Sequence, residues 1–282
     1  MMDKQKRRGF AIQATKIRKH VIEEVFHAGS GHPGGSLSSA DIFTVLYFDE
    51  LRVDPKNPQW EDRDRFVLSK GHCSPGLYAT LAERGFFPKE ELIKFRSIDS
   101  YLEGHPNMTY VPGVDMSTGS LGQGISAAAG MAISGKLYKK DYRVFAILGD
   151  GELEEGEVWE ALMFSAYYKL DNLIAFCDHN GMQIDGPICE VLSPEPVKDK
   201  FEAFGWKTIS IDGHDYDQIA DAIAEAKKVK DMPVMIIAET IKGKGVSFME
   251  NQCSWHGSAP NQEQRDQAIK ELDAHLQELE AN

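Results

Sequence analysis

Leu148-Gly149-Asp150-Gly151-Glu152, followed at a spacing of thirty residues from Asp150 by Asn180-Gly181-Met182, is the stretch from which the fold is read. The run Tyr142 to Leu148 is apolar and strand-like, and it ends in Gly-Asp-Gly. Amphipathic spacing from Glu154 to Leu170 predicts a helix, and Leu173 to Cys177 predicts a second strand that empties into Asp178-His179-Asn180. Strand, helix, strand in that order is a βαβ unit, in which both strand ends fall on one edge of a parallel sheet. Open α/β sheets bind ligands at that edge. An acidic side chain after the first strand and an amide after the second could share one hard cation through oxygen. Mg²⁺ suits such a pair because it also recruits phosphate oxygens. Gly149 and Gly151 let backbone approach a phosphate closely. Gly-Asp-Gly alone is an ordinary turn; the aspartate-to-asparagine spacing is the specific part.

Working outward toward the N-terminus, Ile12, Ile17, Val21, Ile22, Val25 and Phe26 recur at helical spacing and predict a helix over residues 9–28 that stops at Gly29. Ser30-Gly31-His32-Pro33-Gly34-Gly35-Ser36 reads as a loop with His32 projecting, and Ser38 or Ser39 as the cap of a helix over Ala40 to Leu51. Phe66-Val67-Leu68 reads as a strand ending at Lys70-Gly71-His72, before a helix from Ser74 to Arg84. His72 then faces a helix N-terminus, a natural anion site. Residues 88–96 read as helical, and Gly104-His105-Pro106 places another histidine in a loop. Thr118-Gly119-Ser120-Leu121-Gly122-Gln123-Gly124 opens a small-residue helix, Ile125 to Gly135. Its register is not that of a dinucleotide-binding loop.

Toward the C-terminus, a helix (197–204), a strand (206–211), a helix (216–229) and a strand (234–239) continue a doubly wound α/β pattern. Asp212-Gly213-His214-Asp215 reads as a plain connection in which Asp215 caps the helix. Lys242 and Lys244 lie in Ile241-Lys242-Gly243-Lys244-Gly245, where solvated lysines are the ordinary expectation. Trp255-His256-Gly257 is a loop, and Gln262 to Glu280 a polar terminal helix.

The chain has 282 residues, 42% of them hydrophobic, enough for a real core. Its formal net charge of −13 argues against a nucleic-acid surface. A local cation still permits a phosphorylated ligand. Cys73, Cys177, Cys189 and Cys253 show no C-x-x-C pair and fit free thiols in a reducing compartment, so the expected location is cytoplasmic. No apolar run approaches the ~18 residues of a membrane span, and no secretory signal is visible. No H-E-x-x-H or Cys/His spacing suggests zinc.

Together these stretches resemble the N-terminal, diphosphate-binding region of transketolase, over nearly the whole chain and in order: Ser30-Gly31-His32-Pro33-Gly34, Ser69-Lys70-Gly71-His72, Gly104-His105-Pro106, residues 118–124, Gly149-Asp150-Gly151, Asn180 and Trp255-His256-Gly257. The resemblance implies a three-layer α/β/α thiamine-diphosphate (ThDP) fold with a mainly parallel sheet, residues 1–282 forming a single domain. It implies that Asp150, Asn180 and the Met182 carbonyl coordinate Mg²⁺, with Ca²⁺ or Mn²⁺ able to stand in. Gly151 and His72 would meet the ThDP diphosphate, and Gly119, Ser120 and Leu121 would lie along the cofactor. Lys242 falls at a cofactor-lining position. His32, His72, His105 and His256 would handle protons and hold substrate, with His256 also against the cofactor. Glu155 matches a cofactor-linked acidic position, and Glu160 a second one near the subunit interface.

A full transketolase continues through a pyrimidine-binding domain and a C-terminal domain, which carry the glutamate that activates the aminopyrimidine and the residues that grip the sugar phosphate. The expectation is therefore an N-terminal subunit of a split enzyme, working with a C-terminal partner subunit in an α₂β₂ assembly. A truncated chain reads the same way. The expected reaction moves a two-carbon ketol unit between sugar phosphates. Rival readings keep ThDP but change the reaction (a 1-deoxyxylulose-5-phosphate synthase-like enzyme, a dehydrogenase E1 component, a split transketolase for an unusual sugar) or make the chain a non-catalytic ThDP-binding subunit. His32 and His256 favour ketol transfer.

Overall fold

The computed structural model describes residues 2–281. Five strands, β1 (Arg65–Leu68), β2 (Val144–Gly149), β3 (Leu173–His179), β4 (Lys207–Asp212) and β5 (Val234–Glu239), form a sheet in the order β1-β2-β3-β5-β4. Every pairing is parallel. The helices are α1 (Lys4–Ala28), α2 (Pro33–Ser38), α3 (Ala40–Val45), α4 (Ser74–Arg84), α5 (Gln123–Leu137), α6 (Gly156–Tyr167), α7 (Ile188–Val191), α8 (Val197–Ala203), α9 (Tyr216–Ala226) and α10 (Gln262–Ala281).

The strands alternate although both faces are buried, because each pleat sends successive side chains to opposite faces. Phe145, Ile147, Ile174 and Phe176 point into one core with residues of α3, α4 and α9. Val144, Ala146, Leu148, Ala175 and Cys177 point into the other, with residues of α5, α6 and α8. A third apolar layer joins Ile17, Val21 and Ile22 of α1 to Ala268 and Leu272 of α10. Each fully buried large aliphatic or aromatic side chain contributes about 1.5–3 kcal/mol.

The strand expectations hold within two residues at their ends. The expected loop 30–36 does not: Pro33, with φ already set for a first helical turn, starts α2, and Gly34, Gly35 and Ser36 are helical and buried. Tertiary packing overrides the local preference of glycine here. The helix expected over 40–51 is α3 followed by a π turn, Leu46–Glu50, and the Ser38 and Ser39 hydroxyls reach into the interior instead of capping it. The helix expected from Glu154 begins as a 3₁₀ turn, Gly151–Glu154, and becomes α6 at Gly156. Residues 89–94 form 3₁₀ rather than α turns. Asp215 caps α9 as expected, accepting from the backbone of Asp217 and Gln218.

Candidate active site

In the β2–β3 register Gly149 lies opposite Asp178, so Asp150 and the His179–Asn180 pair leave the sheet side by side. The ends of β1 (Lys70, His72), β2 (Asp150, Gly151), β3 (Asn180, Met182) and β5 (Lys242) converge on a cavity of about 230 Å³, closed further by His32, His256 and the Gly119–Leu121 loop.

Asp150 is 2% exposed. It accepts from Gly181 N at 2.6 Å and Gly151 N at 2.9 Å, which ties the β2 and β3 ends together. Asn180 Oδ1 accepts from Met182 N at 3.1 Å, and its Nδ2 donates to Asp178 at 3.0 Å. Burial, then the nearby Asp178 charge, push the Asp150 carboxyl up to about 6 despite those N–H donors. A buried carboxylate beside an amide oxygen and a backbone carbonyl is an oxygen donor set that suits a hard divalent cation, and such a cation would relieve that electrostatic cost. The residues present therefore fit a metal-bound diphosphate. Lys242 is buried, against the expectation of a solvated lysine: packing under α2 and the β3 loop encloses its stem. Its Nζ donates to the Met182 carbonyl at 3.1 Å and to His256 Nδ1 at 2.9 Å, and burial lowers its pKa.

Two buried acids hold the strand ends in place, and neither was singled out from the sequence. Asp178 is fully buried and pairs with Lys70 Nζ. It also accepts from the Thr240 hydroxyl and from Ser38 Oγ at 2.7 Å. Burial opposes its charge, but the Lys70 ammonium outweighs that and holds the carboxyl below its ordinary value. Glu152 accepts from Ser69 Oγ, from Gly122 N at 2.9 Å and from Gly149 N at 3.0 Å, latching the β1 end, the 118–124 loop and the β2 end to one carboxylate. A charged residue flanking a Gly-Asp-Gly turn looks solvated in a sequence. The signal in the sequence was that Asp178 directly follows the apolar run Leu173–Cys177 and that Lys70 comes two residues after the apolar Phe66–Leu68.

Three imidazoles cluster over the cavity. The ring centroids of His32 and His72 are 5.1 Å apart, those of His32 and His256 5.4 Å, and those of His72 and His256 5.0 Å with the planes stacked. Burial, then the Arg96 and His105 charges, lower His32 to about 4; burial, then Lys242, lower His256 to about 3. His72 is pushed well below its ordinary value by burial first and by His256 next. The cluster is a set of neutral rings able to accept or pass protons. His32 Nδ1 is buried with no hydrogen-bond partner among the described residues.

The remaining expected residues stand apart from that cavity. His105 and Ser120 line an adjoining depression that shares Gly119 with it. Burial lowers the His105 pKa. Glu155 and Glu160 are exposed at the start and on the outer face of α6.

An all-parallel α/β sheet with a carboxylate- and glycine-lined cavity at its carboxyl edge is the architecture of a domain that binds a phosphorylated ligand. The family described as "Transketolase, thiamine diphosphate binding domain" matches residues 11–278, and the chain belongs to that family. It is 47% identical over 261 residues to the 6-deoxy-6-sulfo-D-fructose transketolase subunit SqwG of Clostridium sp. (strain MSTE9), covering 93% of this chain and 95% of that one. It is 42% identical over 269 residues to one of the subunits of the apulose-4-phosphate transketolase of Phocaeicola vulgatus, covering 95% of each. The crystal structure of transketolase from Campylobacter jejuni matches with a TM-score of 0.89 at 35% identity, covering 99% of this chain and 46% of that chain. The chain thus spans just under half the length of that transketolase.

Proposed function

We propose that this chain, residues 1–282 acting as a single diphosphate-binding domain, is the N-terminal subunit of a split transketolase. It moves a two-carbon ketol unit from a ketose phosphate to an aldose phosphate, with ThDP and Mg²⁺. The observation that carries this reading is the convergence of Asp150, Asn180 and Met182 beneath the neutral cluster of His32, His72 and His256. Asp150, Asn180 and the Met182 carbonyl would hold the metal, with Ca²⁺ or Mn²⁺ able to replace Mg²⁺. Gly151 and His72 would meet the diphosphate, Gly119, Ser120 and Leu121 would flank the cofactor, and Lys242 and His256 would close the near wall. ThDP, when bound, supplies the carbon nucleophile and electron sink of the reaction. His32, His256 and, at the channel mouth, His105 hold sugar hydroxyls and accept or return their protons. Neutral rings are the form that can accept. Glu155 and Glu160 face the partner side and link cofactor sites across the assembly.

The relatives covered along 95% of their length are named as transketolase subunits, which supports a C-terminal partner subunit completing the site, in an α₂β₂ assembly. Their names specify 6-deoxy-6-sulfo-D-fructose and apulose-4-phosphate, and that favours a second, narrower reading: a modified sugar as the donor. Four free cysteines support a reducing, cytoplasmic setting. Among the described residues no helix is long and apolar enough to cross a membrane.

The test is to assay the purified chain by itself and with its partner subunit, using ThDP, Mg²⁺ and a panel of ketose phosphates. Turnover is expected only from the pair. Full activity from the chain by itself sinks the split-subunit reading, and His32→Ala leaving the pair's turnover intact sinks the catalytic one.

A further inference from the structure

The turn that delivers Lys242 to the cavity is held by its backbone on two sides: Gly243 N donates to Gly34 O at 3.0 Å and Asn251 N donates to Lys242 O at 2.9 Å. Its third anchor is a side chain from a different strand connection. Ile241 N donates to His214 Nε2 at 2.9 Å. Because Nε2 accepts, the ring proton lies on Nδ1, which donates to Asp41 Oδ2 at 2.7 Å. Asp41 is 2% exposed, and it also accepts from both terminal nitrogens of Arg18, at 3.2 and 2.6 Å, and from the Tyr216 hydroxyl at 2.7 Å. Burial opposes the Asp41 charge, but Arg18 and His214 together hold the carboxyl well below its ordinary range. The relay therefore runs from α1 (Arg18) through α3 (Asp41) and the β4–α9 connection (His214) to the residue before Lys242. A fixed anion at one end sets the tautomer, and the tautomer sets the acceptor.

We infer that His214 is a positioning residue for the cofactor cavity: its Nε2, oriented by Asp41 and Arg18, fixes the Ile241–Lys242 turn and so holds the Lys242 ammonium against His256 and the Met182 carbonyl. The inference rests on the proposed function for the cavity's occupant but not for the geometry. The Asp-Gly-His-Asp stretch that reads as a plain connection thus acts on the site from the far side of the sheet edge.

Asparagine places its amide where the ring Nδ1 lies, and glutamine reaches the Nε2 position. H214N therefore keeps the Asp41 contact and loses the acceptor for Ile241 N, whereas H214Q does the reverse. Two readouts apply to the full chain, by itself and with its partner subunit: the rate at which Lys242 is acylated by acetic anhydride, followed by mass spectrometry, and the dissociation constant for ThDP with Mg²⁺. H214N should expose Lys242 to acylation and weaken ThDP binding by about tenfold, the usual effect of removing a residue that orients a ligand-contacting group. H214Q should stay within about threefold of wild type in both. The H214N/K242M double variant should bind no more weakly than K242M, because the two act in one line. Each single variant loses one part-buried hydrogen bond, so a shared fall in melting temperature cannot produce the split. Equal effects of H214N and H214Q, or an H214N loss that adds in full to that of K242M, overturn the inference. If the wild type has no affinity for ThDP, the proposed function fails, while the acylation split still decides the role of His214.

Discussion

Glu24 is fully buried in α1, and neither carboxyl oxygen has a hydrogen-bond partner among the described residues. Burial pushes its pKa well above the ordinary value, whereas an unfolded chain holds a glutamate near ~4.3. A raised folded-state pKa means that its stabilising contribution is complete below the unfolded value and is lost as pH rises through the folded one. We expect E24Q to melt above the wild type near pH ~8, with the gap closing toward pH ~4. A gap independent of pH would show that burial of the charge is not the cause. Lys70 and Asp178 form the opposite case, a buried pair. K70M leaves the Asp178 charge with only neutral donors and should cost about 3–5 kcal/mol in chemical denaturation. K70M/D178N should recover much of that loss, and no recovery would mean that packing of the lysine stem was the larger effect. For His32 and His256, lowered to about 4 and about 3, proton NMR of the free chain should show no ring titration near the ordinary ~6.5.

At the scale of elements, α5 gives a matched pair of substitutions. A Cβ at Gly124 would lie 2.5 Å from Ser69 Cα and 2.6 Å from Ser69 Oγ, whereas one at Gly130 would meet nothing within 4 Å. G124A should therefore push α5 off the β1 end and break the Glu152 latch, and G130A should stabilise the isolated chain by about 1 kcal/mol through helix propensity. The same sign for both in urea denaturation would mean that α5 is not seated on Ser69 as described. Much of the architecture was readable because period-2 and period-3.6 patterns survive in the strands and long helices, and because Asp150 and Asn180 bracket one helix and one strand. The transketolase family expected from those motifs is the family found. The helical Gly34-Gly35-Ser36 segment was not readable. Close packing under the Trp255 loop, not local preference, makes it helical. Nor was the burial of Lys70, Glu152, Asp178 and Lys242, since a sequence does not show that several chain-distant charges will meet and satisfy one another. His214 was passed over because its partners lie 173 and 27 residues away.

For the whole molecule, the cavity is assembled from the ends of four strands, so a ligand bound there stabilises the entire sheet by mass action. ThDP with Mg²⁺ at about a hundred times the dissociation constant should raise unfolding free energy by about 2.7 kcal/mol. Adding a chelator should cancel the shift, and a ThDP-induced shift that survives chelation would remove the metal from the account. The strand order has a consequence of its own for biosynthesis. β5 lies between β3 and β4 although it is made after both. As the polypeptide leaves the ribosome, β3 keeps an unpaired backbone edge on a largely apolar strand until Val234–Glu239 has emerged, and β4 has no strand to pair with before then. The nascent chain therefore passes through an interval in which its stickiest edge is open, and synthesis slowed just ahead of Val234 would lengthen the time that edge depends on a chaperone.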